Sequence, residues 1–287
     1  MGKRLRRRAR AQFFAAAGAI AWVVGGLCAG GTVHATERAV PVDYPGWHDA
    51  PLPDGPVGAA ISQGRRILSN APKYAAAYSG NALTCTNCHL NGGRTPAAAP
   101  WVGIWGVFPE YRARNALVNT LTDRINDCFE RSLNGQRVPG DAPEMTAILA
   151  YMQWLSREVP TGQSVAGRGF LRLQSEKPAS ASRGALLYDE HCVSCHGQNG
   201  AGRGMNGTAD FVPPLWGPKA FNIGAGMARL NNAAAFIKAN MPLGRGGTLD
   251  DQSAYDIAAY IIKQARPDFA RKAQDWPQGG KPPDARY

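Results

Sequence analysis

The chain has 287 residues, a formal charge of +11 and a hydrophobic content of 44%. This length allows two modest domains, and the hydrophobic content excludes global disorder. Six basic residues and no acidic ones fall within residues 1–34, so the remainder of the chain carries a charge of +5. Because no basic patch interleaved with aromatic residues stands out, the sequence predicts no nucleic-acid partner.

The N-terminal segment has the pattern of an export signal. A basic start is followed by an apolar run over residues 13–33 and by the small-residue cleavage pattern Val33-His34-Ala35, which predicts a signal peptide over residues 1–35. Its removal would take Cys28 with it and leave no stable membrane insertion. A retained anchor is the alternative, because the apolar run is about long enough to span a bilayer. Residues 36–57 are predicted to form an N-terminal arm, with His48 at its surface.

Four of the six cysteines lie in two Cys-x-x-Cys-His motifs. The motif residues are Cys85, Cys88 and His89 in the first copy, and Cys192, Cys195 and His196 in the second. Two thioethers would attach a porphyrin to such a turn, and the histidine would bind its iron. A zinc site would need the two cysteine pairs to converge, and a redox dithiol has no need of the histidine. The sequence therefore predicts two covalently bound haem c groups.

Helical patterns surround each motif in the same order. Helices are predicted at residues 58–70, 117–133 and 144–155 in the first half, and from 183, at 233–240 and at 252–263 in the second. Gly64 and Gly184 would let the first helix of each half cross the last one closely. An aromatic segment, residues 100–108, is expected to line the first haem.

This repetition predicts an internally duplicated, all-α protein with little or no sheet. Each half resembles the class I cytochrome c fold, so we expect two tandem cytochrome c-like haem domains joined by a linker. The expected boundaries are 58–160 for the first domain, 161–180 for the linker, 181–268 for the second domain and 269–287 for a surface tail.

The second haem needs a sixth iron ligand, and Met241 is the favoured candidate. It lies 45 residues after His196, behind a predicted helix and before a proline. Ligation by histidine and methionine would raise the potential of this haem. Met205, Met227 and Lys238 are the alternatives.

The first half has no methionine at the equivalent place. Cys128 lies one helical turn earlier, 39 residues after His89, and no attachment motif uses it. A thiolate ligand would lower the potential of the first haem. Met145, Met152 and a simple buried thiol remain the alternatives.

Several groups that suit an oxyanion occur near Cys128 in the sequence. They are Arg112, Arg114, Arg124, Arg131 and Ser132. The alternative is a solvated helix face, on which these arginines pair with the acidic residues of the same segment.

Residues 101–114 and 123–135, the latter with the run Asn-Asp-Cys-Phe-Glu-Arg, resemble the dihaem thiosulfate dehydrogenase family. The resemblance covers about residues 50–265. It implies a periplasmic enzyme that couples two thiosulfates into tetrathionate and passes two electrons to an acceptor such as a c-type cytochrome. A dihaem electron carrier and a haem-thiolate subunit of a sulfur-oxidising complex are the alternatives, and tetrathionate reduction is the possible reverse reaction.

The resemblance also implies roles for individual residues. The implied iron ligands are His89 and Cys128 for the first haem and His196 and Met241 for the second, and the implied substrate-site residues are Arg114, Arg124 and Ser132. Some family members carry a lysine just before the methionine as an alternative ligand, but this chain has Asn240 there. Cys128 could also carry a covalent sulfur adduct, because a thiolate is a good sulfur nucleophile.

Overall fold

The computed structural model describes His48 and residues 50–287. The predicted signal peptide, Cys28 and most of the predicted arm lie outside these residues. His48 is exposed, as expected of a surface histidine. No helix within the described residues is long and apolar enough to cross a membrane.

Helices build both halves of the described chain. In the first half they are α1 (Gly55–Ser69), α2 (Ala71–Tyr74), α3 (Leu90–Gly93), α4 (Leu121–Arg131) and α5 (Pro143–Ser156). In the second half they are α6 (Ala181–His191), α7 (Val193–His196), α8 (Leu230–Asn240) and α9 (Asp251–Lys263). Short 3-10 turns occur at Ala76–Tyr78, Cys85–Asn87, Ile104–Val107, Gly226–Ala228 and Lys272–Gln274. Two strands, β1 (Glu110–Arg112) and β2 (Leu117–Asn119), form an antiparallel hairpin.

Each half is organised around one close helix crossing. A Cβ atom added at Gly64 of α1 would lie 2.0 Å from the carbonyl oxygen of Ala147 in α5. One added at Gly184 of α6 would lie 1.8 Å from the carbonyl oxygen of Asp256 in α9. A side chain at either position would therefore force the helices apart. The structure confirms the predicted role of both glycines.

Each half also has its own apolar core. In the first half, Ile67 of α1, Phe129 of α4 and Ile148 of α5 belong to one buried cluster. In the second half, Tyr188 of α6 and Ile257 of α9 belong to another. The repeated order of elements thus gives each half an apolar cluster of its own.

The prediction of one helix over residues 117–133 is wrong at its start. Residues 117–119 form β2, and Thr120 caps α4: its hydroxyl accepts from the backbone N–H of Asp123 at 3.2 Å. The Asp123 carboxylate in turn accepts from the backbone N–H of Thr120 at 3.0 Å. This reciprocal pair satisfies N–H groups that a helix end leaves free, so the helix begins at Leu121. In the hairpin, Arg112 lies opposite Leu117.

The prediction of a purely surface tail is also wrong. The side chain of Asp275 is only 2% exposed, and Trp276 is buried. Both residues contact Arg114 of the first half, so the C-terminal segment folds back onto the first haem domain.

Candidate active site

A cavity opens beside the first Cys-x-x-Cys-His motif. Its lining includes Cys85, Cys88, His89, Pro100, Trp101, Ile104, Phe108, Glu110, Arg112, Arg124, Cys128, Ser132, Met152 and Arg168. One cavity therefore contains predicted site residues from two separate parts of the sequence. They include His89, Arg124, Cys128 and Ser132. The aromatic segment also lines it, as predicted.

The orientation of both motif histidines fits iron ligation. The Nδ1 atom of His89 lies 2.5 Å from the carbonyl oxygen of Ala99, and Nδ1 of His196 lies 3.1 Å from that of Pro213. Because a carbonyl oxygen can only accept, each Nδ1 carries the proton and each Nε2 keeps its lone pair. Metal-ligating histidines are commonly oriented in this way.

Burial also keeps these imidazoles neutral. It lowers the pKa of His89 to about 4 and lowers the pKa of His196. Within the described residues, no three His, Cys, Asp or Glu side chains converge as a zinc site would require.

Cys128 lies on α4 with a fixed positive charge beside it. Arg124, one turn earlier, donates from Nη1 to the Cys128 sulfur at 2.9 Å. The charge of a Cys128 thiolate is the main cause that raises the pKa of Arg124. The pair places a cysteine sulfur and a guanidinium together on the wall of the cavity.

Arg112 reaches the same cavity from β1. Burial, followed by the like charge of Arg124, lowers the pKa of Arg112, but a guanidinium remains charged at neutral pH. The Glu110 carboxylate lies 4.0 Å from its Nη1 atom. Two guanidinium groups held close together suit a doubly charged oxyanion. The sequence places Arg112 among the nearby polar residues but does not single it out, and only the hairpin geometry does so.

The structure does not bring Arg114 to this cavity. Its Nη1 donates to the carbonyl oxygen of Gly224 at 2.9 Å, and its Nε lies 3.4 Å from the Asp275 carboxylate. The guanidinium lies 5.0 Å from the ring centre of Trp276. Arg114 thus joins the first half to the second half and to the C-terminal segment.

The two methionines considered as rivals of Cys128 lie in different places. Met145 is fully buried in the first core and lies outside the cavity lining. Met152 of α5 does line the cavity. Met152 is therefore the methionine that a ligation experiment has to distinguish from Cys128.

In the second half, Met241 packs against the core cluster that also contacts Cys192. Met205 is 74% exposed. Lys238 donates from Nζ to the carbonyl oxygen of Leu249 at 2.6 Å. Met241 stays the predicted ligand of the second haem.

Comparisons with known proteins give matches to both halves of the chain. The family model "SoxA/TsdA, cytochrome c domain" matches residues 72–161, and the model "cytochrome C oxidase, cbb3-type, subunit III" matches residues 179–261. A thiosulfate dehydrogenase from Allochromatium vinosum is 43% identical over 262 residues, which cover 90% of this chain and 95% of the relative. The chain belongs to the thiosulfate dehydrogenase family. Another member, from Psychrobacter arcticus, is 42% identical over 83% of this chain and 73% of its own length.

A solved thiosulfate dehydrogenase structure shows the same fold. The thiosulfate dehydrogenase TsdBA from Marichromatium purpuratum, in its "as isolated" form, is similar with a TM-score of 0.73 and 40% identity. The match covers 77% of this chain and about half, 49%, of that one. The prediction of two tandem cytochrome c domains with two covalently bound haem c groups is confirmed.

Proposed function

We propose that the protein is a periplasmic thiosulfate dehydrogenase that couples two thiosulfates into tetrathionate and passes two electrons to an external c-type cytochrome. The observation that carries this proposal is the single cavity that unites His89, Cys128 and Ser132 with Arg112 and Arg124. Names of relatives with 42–43% identity support the substrate. Tetrathionate reduction at the same site is the reverse of this reaction.

Charge is the first obstacle to joining two thiosulfates. Two dianions 4 Å apart repel each other by roughly 4 kcal/mol in water, and by more in a partly buried site. Arg112 and Arg124 bring two positive charges to the cavity, and the Ser132 hydroxyl can donate a further hydrogen bond. These groups would offset the repulsion and hold the two anions close enough to react.

The chain carries residues that would hold two haems. Cys85 and Cys88 would hold the first through thioethers, and His89 and Cys128 would ligate its iron. Cys192 and Cys195 would hold the second, and His196 and Met241 would ligate its iron. When bound, a low-potential thiolate-ligated haem and a higher-potential His/Met haem provide a downhill route for electrons.

Cys128, once it is released from the iron, would act as the sulfur nucleophile. Its thiolate and the sulfane sulfur of one thiosulfate form an S–S bond with the loss of two electrons, which the external c-type cytochrome takes up. The second thiosulfate then attacks the bound sulfane sulfur, releases tetrathionate and regenerates the thiolate. Arg124, 2.9 Å from this sulfur, would stabilise the thiolate each time it forms.

The test is an assay on the purified dihaem protein with thiosulfate and an oxidised cytochrome c-type acceptor. We expect acceptor reduction that depends on thiosulfate, with one tetrathionate formed for every two electrons. Cys128→Met should abolish turnover while both haems stay attached. Wild-type turnover in that variant, or haem reduction without tetrathionate in the native protein, would contradict the proposal.

A further inference from the structure

The end of α4 is capped by a residue from the other half of the molecule. Asn222 donates its backbone N–H to the carbonyl oxygen of Arg131 at 3.1 Å. Its side-chain amide donates to the carbonyl oxygen of Glu130 at 2.9 Å. Its side-chain oxygen accepts from the N–H of Gly224, and the residue is 3% exposed. Asn222 is thus held by its own loop and forms two hydrogen bonds to the end of α4.

These contacts complete the hydrogen bonding of the helix end. The last four carbonyl groups of a helix have no partner within it. Here the carbonyl oxygen of Cys128 accepts from Ser132 and Leu133, and that of Phe129 accepts from Gly135. The remaining two, at residues 130 and 131, are the ones that Asn222 satisfies. The second half therefore supplies the hydrogen-bond donors for the last two carbonyl groups of α4.

An ion pair from the C-terminal segment restrains the last turn of α4. Both terminal nitrogens of Arg131 donate to the Asp275 carboxylate at 2.8 Å, a bidentate pair. The side chains of Arg131 and Asp275 are 8% and 2% exposed. Tyr287 also donates its hydroxyl to this carboxylate. A buried bidentate pair fixes direction as well as distance, so it restrains the last residue of α4.

Two further contacts, at Trp276 and at Asp284, fix the C-terminal segment to the rest of the protein. Asp284 accepts from Nε and Nη2 of Arg229, at the start of α8, at 2.9 and 2.7 Å. The backbone N–H of Trp276 donates to the carbonyl oxygen of Arg114 at 2.6 Å. The segment therefore links the second half to the end of α4.

We infer that Asn222 and Asp275 are positioning residues, which hold the end of α4 so that Cys128 and Ser132 keep their places in the cavity. This inference rests on the proposed function, because it assigns the contacts a role in setting the Cys128 ligand. Arg131 is three residues from Cys128 and immediately precedes Ser132. A displacement of about 1 Å at a reacting centre can cost a factor on the order of 100 in rate.

The test uses the purified dihaem protein and the variants Asn222→Ala and Asp275→Asn. The readouts are the EPR signal of the ferric first haem, the midpoint potentials of both haems, and kcat and KM for thiosulfate. Each variant should change the signal and potential of the first haem and lower kcat on the order of 10- to 100-fold. The potential of the second haem should stay the same, which a general loss of folding would not allow.

Arg137→Ala is the matched control. Arg137 follows α4 in the chain and forms ion pairs with Asp123 and Glu130 of that helix, but the side chain of Arg137 is 43% exposed. Exposed pairs contribute little, so all readouts should stay at wild-type values.

The possible outcomes separate the two proposals. A wild-type protein without a thiolate-ligated signal would overturn the Cys128 ligand of the proposed function and this inference together, while the thiosulfate assay tests the reaction separately. A wild-type protein with that signal, and a first haem unchanged in folded variants, would overturn this inference alone. Because the two substitutions act on different contacts, either one decides the question if the other fails to fold.

Discussion

Arg112 and Arg124 are two of the three arginines that line the candidate cavity, and the third, Arg168, is exposed. Arg124 is tied to the Cys128 sulfur at 2.9 Å, whereas Arg112 has a carboxylate only at 4.0 Å. Arg112 is therefore the better placed of the two to exchange its contacts for those of an incoming anion. The strain of two like charges held together would be relieved when a dianion binds.

Arg112→Ala should weaken thiosulfate binding. Loss of one charged hydrogen bond costs about 1.5–3 kcal/mol, which corresponds to an increase in KM of roughly 10- to 100-fold. The KM of Arg112→Lys should lie between those of Arg112→Ala and the wild type, because lysine keeps the charge but loses the forked geometry of the guanidinium group. Steady-state kinetics with thiosulfate would measure both effects. A KM for Arg112→Ala equal to that of the wild type would remove Arg112 from the substrate site.

Most residues of the candidate site could be predicted from the sequence because they belong to compact motifs. The two haem motifs fix six residues, and the turn spacing of α4 places Arg124 beside Cys128. Arg112 and Arg114 could not be separated in this way. Which of them faces the cavity depends on a hairpin only three residue pairs long, and the contacts of Arg114 are with Gly224 and Asp275, far away in the sequence.

At the scale of elements, each domain depends on one glycine-mediated helix crossing. Gly64→Ala should destabilise the first domain, since its Cβ would meet the Ala147 carbonyl oxygen at 2.0 Å. Overpacking of this kind costs about 1–3 kcal/mol, against a gain in helix propensity of at most about 1 kcal/mol. Chemical denaturation of the dihaem protein, followed by circular dichroism, would measure the change.

Gly140→Ala is the control for this substitution. The nearest atom to its added Cβ lies 4.0 Å away, in the side chain of Thr122, so stability should stay the same or rise slightly. Equal changes in the free energy of unfolding for Gly64→Ala and Gly140→Ala would show that the close helix crossing does not exclude a side chain at position 64.

The α6–α9 pair contains a buried carboxylate that should make the second domain sensitive to acid. Burial acts to raise the pKa of Asp256, but hydrogen bonds from Arg183, the backbone N–H of Ser180 and Gln252 outweigh it and hold the pKa below its usual value. A carboxyl group with a lowered folded pKa stabilises the fold above its unfolded pKa of about 4. That stability is lost as the pH falls through the folded pKa.

Asp256→Asn should therefore lower stability at neutral pH and flatten its decline between about pH 5 and 3. The loss at pH 7 should be about 1–2 kcal/mol, because Arg183 is half-exposed and solvent screens part of its charge. Denaturation of the wild type and the variant across this range would measure both slopes. Parallel pH profiles would show that Asp256 does not titrate with unfolding.

The helices of both halves could be predicted from apolar periodicity, while short elements could not. Residues 117–119 continue the apolar pattern of α4, but the capping pair of Thr120 and Asp123 separates them from the helix. Once outside the helix, the three residues pair with β1. Periodicity alone does not distinguish a strand this short from a first helical turn.

At the scale of the whole molecule, the duplication gives each haem its own domain, and later parts of the chain complete the first one. Asn222 and Asp275 both act on the end of α4, some 90 and 140 residues earlier in the chain. Sequence repetition reveals the two halves because each repeats the same motif and helix order. It does not reveal the contacts between them, because Asn222 and Asp275 lie outside the motifs and helices that repeat.

We propose that Cys128 is the sixth ligand of the first haem. The most direct measurement is EPR spectroscopy of the ferric dihaem protein, for the wild type and for Cys128→Met and Met152→Ala. We predict a low-spin thiolate-ligated signal in the wild type, its retention in Met152→Ala, and its loss in Cys128→Met with a rise in the potential of the first haem. A wild-type spectrum without that signal, or one that Cys128→Met leaves unchanged, would contradict the claim.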